Sequence, residues 1–176
     1  MTIARAILAM LASSLGCVQP CFAAAASIQL DSSFPARILA MHNRERAAVG
    51  AAPLAWDPSL AAAAASYGPT LAGLGRLAHS PRASRPGQRE NLAMGSTGYY
   101  GLEDLVGFWV EEKRYFQPGV FPNVSRTGQW KDVAHYTQMI WKGTTNVGCA
   151  LHNASNRSYL ICRYSPPGNA DGRPVY

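Results

Sequence analysis

The chain has 176 residues, with 16 Lys and Arg against 10 Asp and Glu, for a net charge of +6. That length suits one domain with a real core rather than two. The positive charge is spread out, with no basic helix and no interleaving of aromatic and basic residues; this sets nucleic-acid binding aside and leaves anionic surfaces such as a cell envelope or lipid head groups.

The first residues, MTIARAILAMLASSLGCVQPCFAAAAS, read as a secretory signal: a charged start, an apolar stretch from Ile7 to Val18, and a small-residue end. Cleavage after Ala24, Ala25 or Ala26 fits, so residues 1–26 form the leader and 27–176 one mature domain. A lipid-modified start at Cys17 fits less well, because Ser14 stands where a branched aliphatic residue is usual. The apolar run is too short to span a bilayer, and no other transmembrane segment is expected. The mature chain keeps 15 basic residues against 10 acidic ones, +5, and is expected outside the cell or in a periplasm. Cys17 and Cys21 leave with the signal. Cys149 and Cys162 remain, flanked by strand-like runs, either bridging neighbouring strands in an oxidising compartment or standing as two buried thiols.

A first helix is expected from about Phe34 to Val49, capped by Ser33, started by Pro35 and ended by Gly50. Phe34, Ile38, His42 and Val49 form its inward stripe. Asp57-Pro58 starts a second helix that Gly68-Pro69 breaks or kinks. Residues 76–101 look like a loop carrying Arg76, Arg82, Arg85 and Arg89. A third helix is expected over about Leu102 to Phe116, then a long loop over 117–132, a short helix over 133–141 with Asp132 as its cap, and two strands. Helices interleaved with a few strands point to layered α and β packing.

Within FWVEEKRYF, Leu105, Trp109 and Phe116 share one stripe of the third helix. Glu112 lies in that stripe, while Glu111 points about 100° away. A carboxylate turned to an apolar face must be paired, metal-bound or protonated; a salt bridge to an arginine is the plain alternative. His79 in GRLAHS and Glu90 in QRENLAM each have a plain reading too, as a loop residue and as an acid in a first helical turn. His135 lies among Tyr136, Met139, Ile140 and Trp141. With Glu112, these make two imidazoles and two carboxylates, a donor set that suits zinc or a similar divalent ion if the fold gathers them. There is no G-x-S-x-G elbow and no H-E-x-x-H helix. GLGRLA follows an alanine-rich helix and not a strand, so it reads as a helix end. Asn123, Asn153 and Asn156 stand in N-x-S sequons.

HNRERAAVGAAPLAWDPSLAAAA, LAHS, ENLA, FWVEEKRYF, HYTQMIW, NVGCA and YLICRYSPPGN occur in that order. This series resembles the CAP superfamily of cysteine-rich secretory proteins, antigen 5 and plant pathogenesis-related proteins of type 1, from about Ser33 to Asn169. The resemblance implies an α+β fold, a three-layer α-β-α sandwich with a central antiparallel sheet. It implies a cleft lined by two His and two Glu, which match His79, Glu90, Glu112 and His135, and which in some relatives takes zinc or another divalent ion. The chain departs from the family at Ala134 and Lys142, and neither change touches a cleft ligand; it has fewer cysteines and lacks the cysteine-rich extension, which argues against a channel-blocking or venom-like role. Its alanine- and arginine-rich composition has a bacterial character.

Function is expected to be binding before catalysis. The resemblance links the aromatic loop to sterol or lipid ligands, here Phe116, Phe121 and Trp130, with Tyr136 beside them, as a groove for an apolar small molecule. The alternative is a metal-dependent hydrolase or peptidase in which Glu90 or Glu112 is the general base. A further alternative is a metal-free network of the two His and two Glu that holds the layers in register.

Overall fold

The computed structural model describes residues 33–176; the expected leader, with Cys17 and Cys21, lies outside the described residues. Helix α1 spans Phe34–Ala48. The Ser33 hydroxyl accepts from the Ala36 N–H, Pro35 lies in the first turn, and Gly50 takes a positive φ beyond the end. Ile38, Met41, His42, Glu45 and Arg46 form its buried face, with Phe34 and Val49 packed at the margin.

Strand β1, Ala55–Trp56, leads into helix α2, Pro58–Leu74. Asp57 Oδ1 accepts from the N–H groups of Ser59 and Leu60 at 2.8 and 3.2 Å, and Gly75 closes the helix in the left-handed region. The expected break at Gly68-Pro69 does not occur. Pro69 lies on the exposed side of α2, where a carbonyl that loses its helical partner can turn to water.

Strand β2 spans Arg89–Ser96, within the stretch expected to be a loop. Residues 90–93 are buried on both faces, so RENLAMGS lacks the alternation that marks a strand with one wet face. Helix α3 covers Leu102–Glu111, and a 3-10 turn over Glu112–Tyr115 replaces the last turn expected of it. A second 3-10 turn, Trp130–Val133, precedes helix α4, Ala134–Ile140. Asp132 does not cap α4; its Oδ2 accepts from the Thr127 hydroxyl instead.

Strands β3, Asn146–Ala154, and β4, Arg157–Ser165, complete a sheet ordered β1-β3-β4-β2. It is antiparallel, as expected, except at the edge where β1 runs parallel to β3. The Asn43 amide fixes that edge by bonding both the N–H and the carbonyl of Leu54. Cys149 and Cys162 face each other across β3 and β4 and form a disulfide.

Helix α2 covers one face of the sheet, and α1, α3 and α4 cover the other. The buried alternation of β4 serves both layers. Tyr159 and Ile161 join Ala64 and Leu71 of α2, while Leu160, Cys162 and Tyr164 join the larger core beneath the other helices. Helix α2 rests directly on β3 at Gly148, where a Cβ would collide with the backbone of Asp57 and Ala61.

Candidate functional site

A cleft of about 500 Å³ opens beside β2 and the start of α4. His79 and His135 both line it, and each ring is held by a carboxylate through Nδ1. Glu90 Oε1 lies 2.8 Å from His79 Nδ1, and Glu112 Oε1 lies 2.5 Å from His135 Nδ1. Among the described residues, neither Nε2 makes a hydrogen bond.

Glu90 is buried on β2 directly opposite Arg163 of β4. Oε1 also accepts from the Ser80 N–H at 3.0 Å and Oε2 from the Ser80 hydroxyl at 3.0 Å. Arg163 Nε lies 3.0 Å from Oε2, but the N–H is not aligned for a hydrogen bond, so this contact is charge pairing alone. Burial by itself would raise the Glu90 carboxyl; His79, Arg163 and Ser80 together outweigh it and hold the group below its ordinary value. The buried environment pulls Arg163 down in turn.

Glu112 has a different task. It sits on the 3-10 turn after α3, and its Oε2 accepts from the N–H groups of His135 and Tyr136 at 2.9 and 3.0 Å. These are donors of the first turn of α4 that have no partner inside the helix. Glu112 therefore caps α4 from another element while fixing the His135 ring. Trp109 stacks on that ring with centroids 6.2 Å apart.

A polar chain lies beneath. His42 Nδ1 donates to the Ile38 carbonyl at 2.8 Å, which leaves Nε2 to accept from the Tyr164 hydroxyl at 2.8 Å. Asn91 Nδ2 bonds both that hydroxyl, at 3.2 Å, and the His135 carbonyl, at 3.0 Å. Burial pushes His42 down to about 4 and raises Tyr164, so both stay neutral. Arg46 is also buried and donates to the carbonyls of Met139, Trp141 and Thr144, which stabilises the carboxyl end of α4. Burial lowers its pKa to about 10. His42 lies in the core stripe expected of α1, but nothing local in the sequence marks the long-range polar partners of His42, Arg46 or Tyr164.

The expected site residues therefore fall into three groups. His79, Glu90 and His135 line the cleft, with Glu112 behind His135. The two His–Glu pairs stay separate: among the described residues no hydrogen bond or ion pair joins them, and no three His, Cys, Asp or Glu residues group as a metal cluster. Phe121 and Trp130 line the cleft, packed edge to face at 5.4 Å. Phe116 and Tyr136 do not; they pack on each other in the core. Arg82, Arg85, Arg89 and Asp171 complete a charged side of the cleft.

The tail after β4 closes the remaining side. Asn169 binds the Ala134 carbonyl through Nδ2 and the Thr137 hydroxyl through Oδ1. The Phe121 N–H donates to the Arg173 carbonyl, and the Gly172 N–H to the Phe121 carbonyl, both at 2.9 Å. The Lys142 N–H reaches the Val175 carbonyl at 2.7 Å. The loop that carries Phe121 is thus laced to residues 172–175.

An α-β-α sandwich with two carboxylate-held histidines at one cleft defines a recognisable class of protein. Residues 39–164 match the CAP family, described as the cysteine-rich secretory protein family, and the chain belongs to it. It is 38% identical to the pathogenesis-related protein PR-1 type of Sambucus nigra over 136 residues, 77% of each chain. It is 39% identical to pathogenesis-related protein 1C of Nicotiana tabacum over 137 residues, 77% of this chain and 76% of that one. The fold is similar to that of NaASP2 solved with Zn2+, with a TM-score of 0.71 at 24% identity over 85% of this chain and 88% of the other. It is also similar to the Schistosoma mansoni venom allergen-like protein 4, with a TM-score of 0.58 at 22% identity over 78% and 90% of the two chains. No helix among the described residues is long and apolar enough to cross a membrane.

Proposed function

We propose that this is a secreted CAP-domain binding protein, with a defence or cell-envelope role, whose cleft takes a divalent ion, zinc in the first instance, and an apolar ligand. The observation that carries the metal reading is the shared arrangement of the two histidines. Each gives Nδ1 to a carboxylate and keeps Nε2 free in the same cleft. That is how an outer carboxylate orients an imidazole ligand. His79 and His135 would hold the ion, with Glu90 and Glu112 as orienting acceptors rather than direct ligands. A bound ion would supply Lewis acidity at that point of the cleft. The solved NaASP2 with Zn2+ lends support from a protein of the same fold. The apolar ligand would lie against Phe121 and Trp130, and the pathogenesis-related names of the plant relatives support a defence role.

The hydrolase alternative gains little from the geometry. A general base needs a lone pair free for water. Glu90 accepts three bonds and faces Arg163, and Glu112 accepts three bonds, so each keeps about one of four acceptor sites for a water. The metal-free network has more support, because Glu112 caps α4 whether or not an ion is present.

Zinc calorimetry on the mature protein and on a His79→Ala/His135→Ala double variant separates the two readings. One bound ion in the parent and none in the variant is the expected result. Absence of binding in both, with an earlier melt of the variant, would leave the structural network.

A further inference from the structure

Four Lys or Arg side chains among the described residues meet a carboxylate. Arg37 meets Glu103 at 2.7 Å, Arg44 and Lys113 meet Glu45, and Arg163 meets Glu90. Three arginines that do not are gathered at the cleft. Among the described residues, Arg82, Arg85 and Arg89 have no carboxylate within ion-pair distance, although Asp171 lines the same cleft.

Arg85 is buried, with only 8% of its surface exposed, and it donates to neutral carbonyls, those of Ser80 at 3.1 Å and Gln88 at 3.3 Å. Arg89 donates to the Asn169 carbonyl at 3.3 Å. Arg82 is exposed and donates no hydrogen bond to the described residues. A guanidinium withdrawn from water without an anion is costly, and three together repel one another. Arg163 matches the Glu90 charge, and Asp171 and Glu112, which stands behind His135, offset two of the three, so the cleft carries an excess of one positive charge. Phe121, Pro122 and Trp130 supply an apolar surface in the same cleft.

We propose that the cleft takes a ligand bearing a phosphate monoester, its dianion among Arg82, Arg85 and Arg89 and its body against Phe121 and Trp130. This rests on the reading of the cleft as a binding site and does not depend on the metal. Planar guanidiniums match phosphate oxygens in pairs, and a monoester carries close to two charges at neutral pH. A monoester presents three acceptor oxygens to the three guanidiniums, where a carboxylate presents two. Free phosphate esters and lipid head groups with a terminal phosphate share this chemistry.

The test is calorimetry with phenyl phosphate in EDTA, with phenol and benzoate as controls. Arg82→Gln/Arg89→Gln removes two charges and one long hydrogen bond; Arg82→Lys/Arg89→Lys keeps the charges. Thermal melts establish that both fold. Phenyl phosphate should bind more tightly than either control, weaken about tenfold or more in the Gln variant, and weaken less in the Lys variant. Equal binding of phenol or benzoate, or an unchanged Gln variant, overturns the proposal. So does phenyl phosphate binding that requires added zinc and disappears in His79→Ala/His135→Ala, since the anion would then sit on the metal. Phenyl phosphate binding with a failed zinc titration supports the arginine site and sinks only the metal reading. Competition by phosphatidylcholine vesicles with and without phosphatidic acid assigns the source: displacement only by the phosphatidic acid vesicles points to a lipid head group, and none by either points to a free ester.

Discussion

Single residues show how polar groups are kept inside a small core. His42 is buried and neutral, bonded at both ring nitrogens, with its folded pKa near 4 against an ordinary 6.5. The unfolded chain therefore takes up a proton at that ring before the folded one does. The stability this contributes is complete above pH 6.5 and is lost as pH falls towards about 4. The loss should be roughly 3 kcal/mol by linkage. Urea unfolding across that window should show it, and His42→Gln should flatten the slope; an equal slope in the variant would rule His42 out as its source. Glu90 works the same way at lower pH. Its folded carboxyl is depressed, so its contribution is lost as pH falls below its ordinary 4.5.

At the scale of elements, Glu112 joins two helices that are far apart in sequence. It ends α3 and caps α4, and the same carboxylate sets the His135 ring. Glu112→Gln keeps the shape but weakens three charge-assisted bonds. It should cost about 1–3 kcal/mol in denaturant unfolding and about 10–100-fold in zinc affinity by calorimetry. A stability loss with unchanged zinc affinity would separate capping from ring orientation. The Glu112 side chain was legible in the sequence because helical spacing set it apart from Glu111. Its capping role was not, because the partner amides lie 23 and 24 residues away. Strand β2 was missed for another reason. Both of its faces are buried and its polar residues face partners, so neither alternation nor β-branched enrichment marks it. Helix α2 runs through Pro69 without a break, and the position of Pro69 on the exposed side of the helix cannot be read from the residue alone. Phe116 and Tyr136 were read as groove residues on aromatic character, yet packing sends them inward, while Phe121 and Trp130 reach the cleft.

On the scale of the whole molecule, the disulfide ties β3 to β4 at the centre of the sheet, with 13 residues of sequence separation. Closing a loop of that length constrains the unfolded chain by about 3 kcal/mol in the chain-entropy picture. Cys149→Ala/Cys162→Ala should lose roughly that much in urea unfolding while keeping the native fold by far-UV circular dichroism. A change well under 1 kcal/mol would mean that the β3–β4 pairing already restrains the unfolded ensemble. The two core layers meet along β4, so the bridge lies where the layers on both faces of the sheet depend on the same strand.

The lacing of Phe121 to residues 172–175 makes the cleft sensitive to events at a place remote from its chemistry. Loss of residues 173–176 removes both the acceptor of the Lys142 N–H and the carbonyl that holds Phe121. The central strands would survive such a loss, but Val175 is buried in the larger core, so the protein would melt earlier. The aromatic wall would be adrift as well, so a preparation cut before Arg173 would keep its sheet and still lose its grip on an apolar ligand.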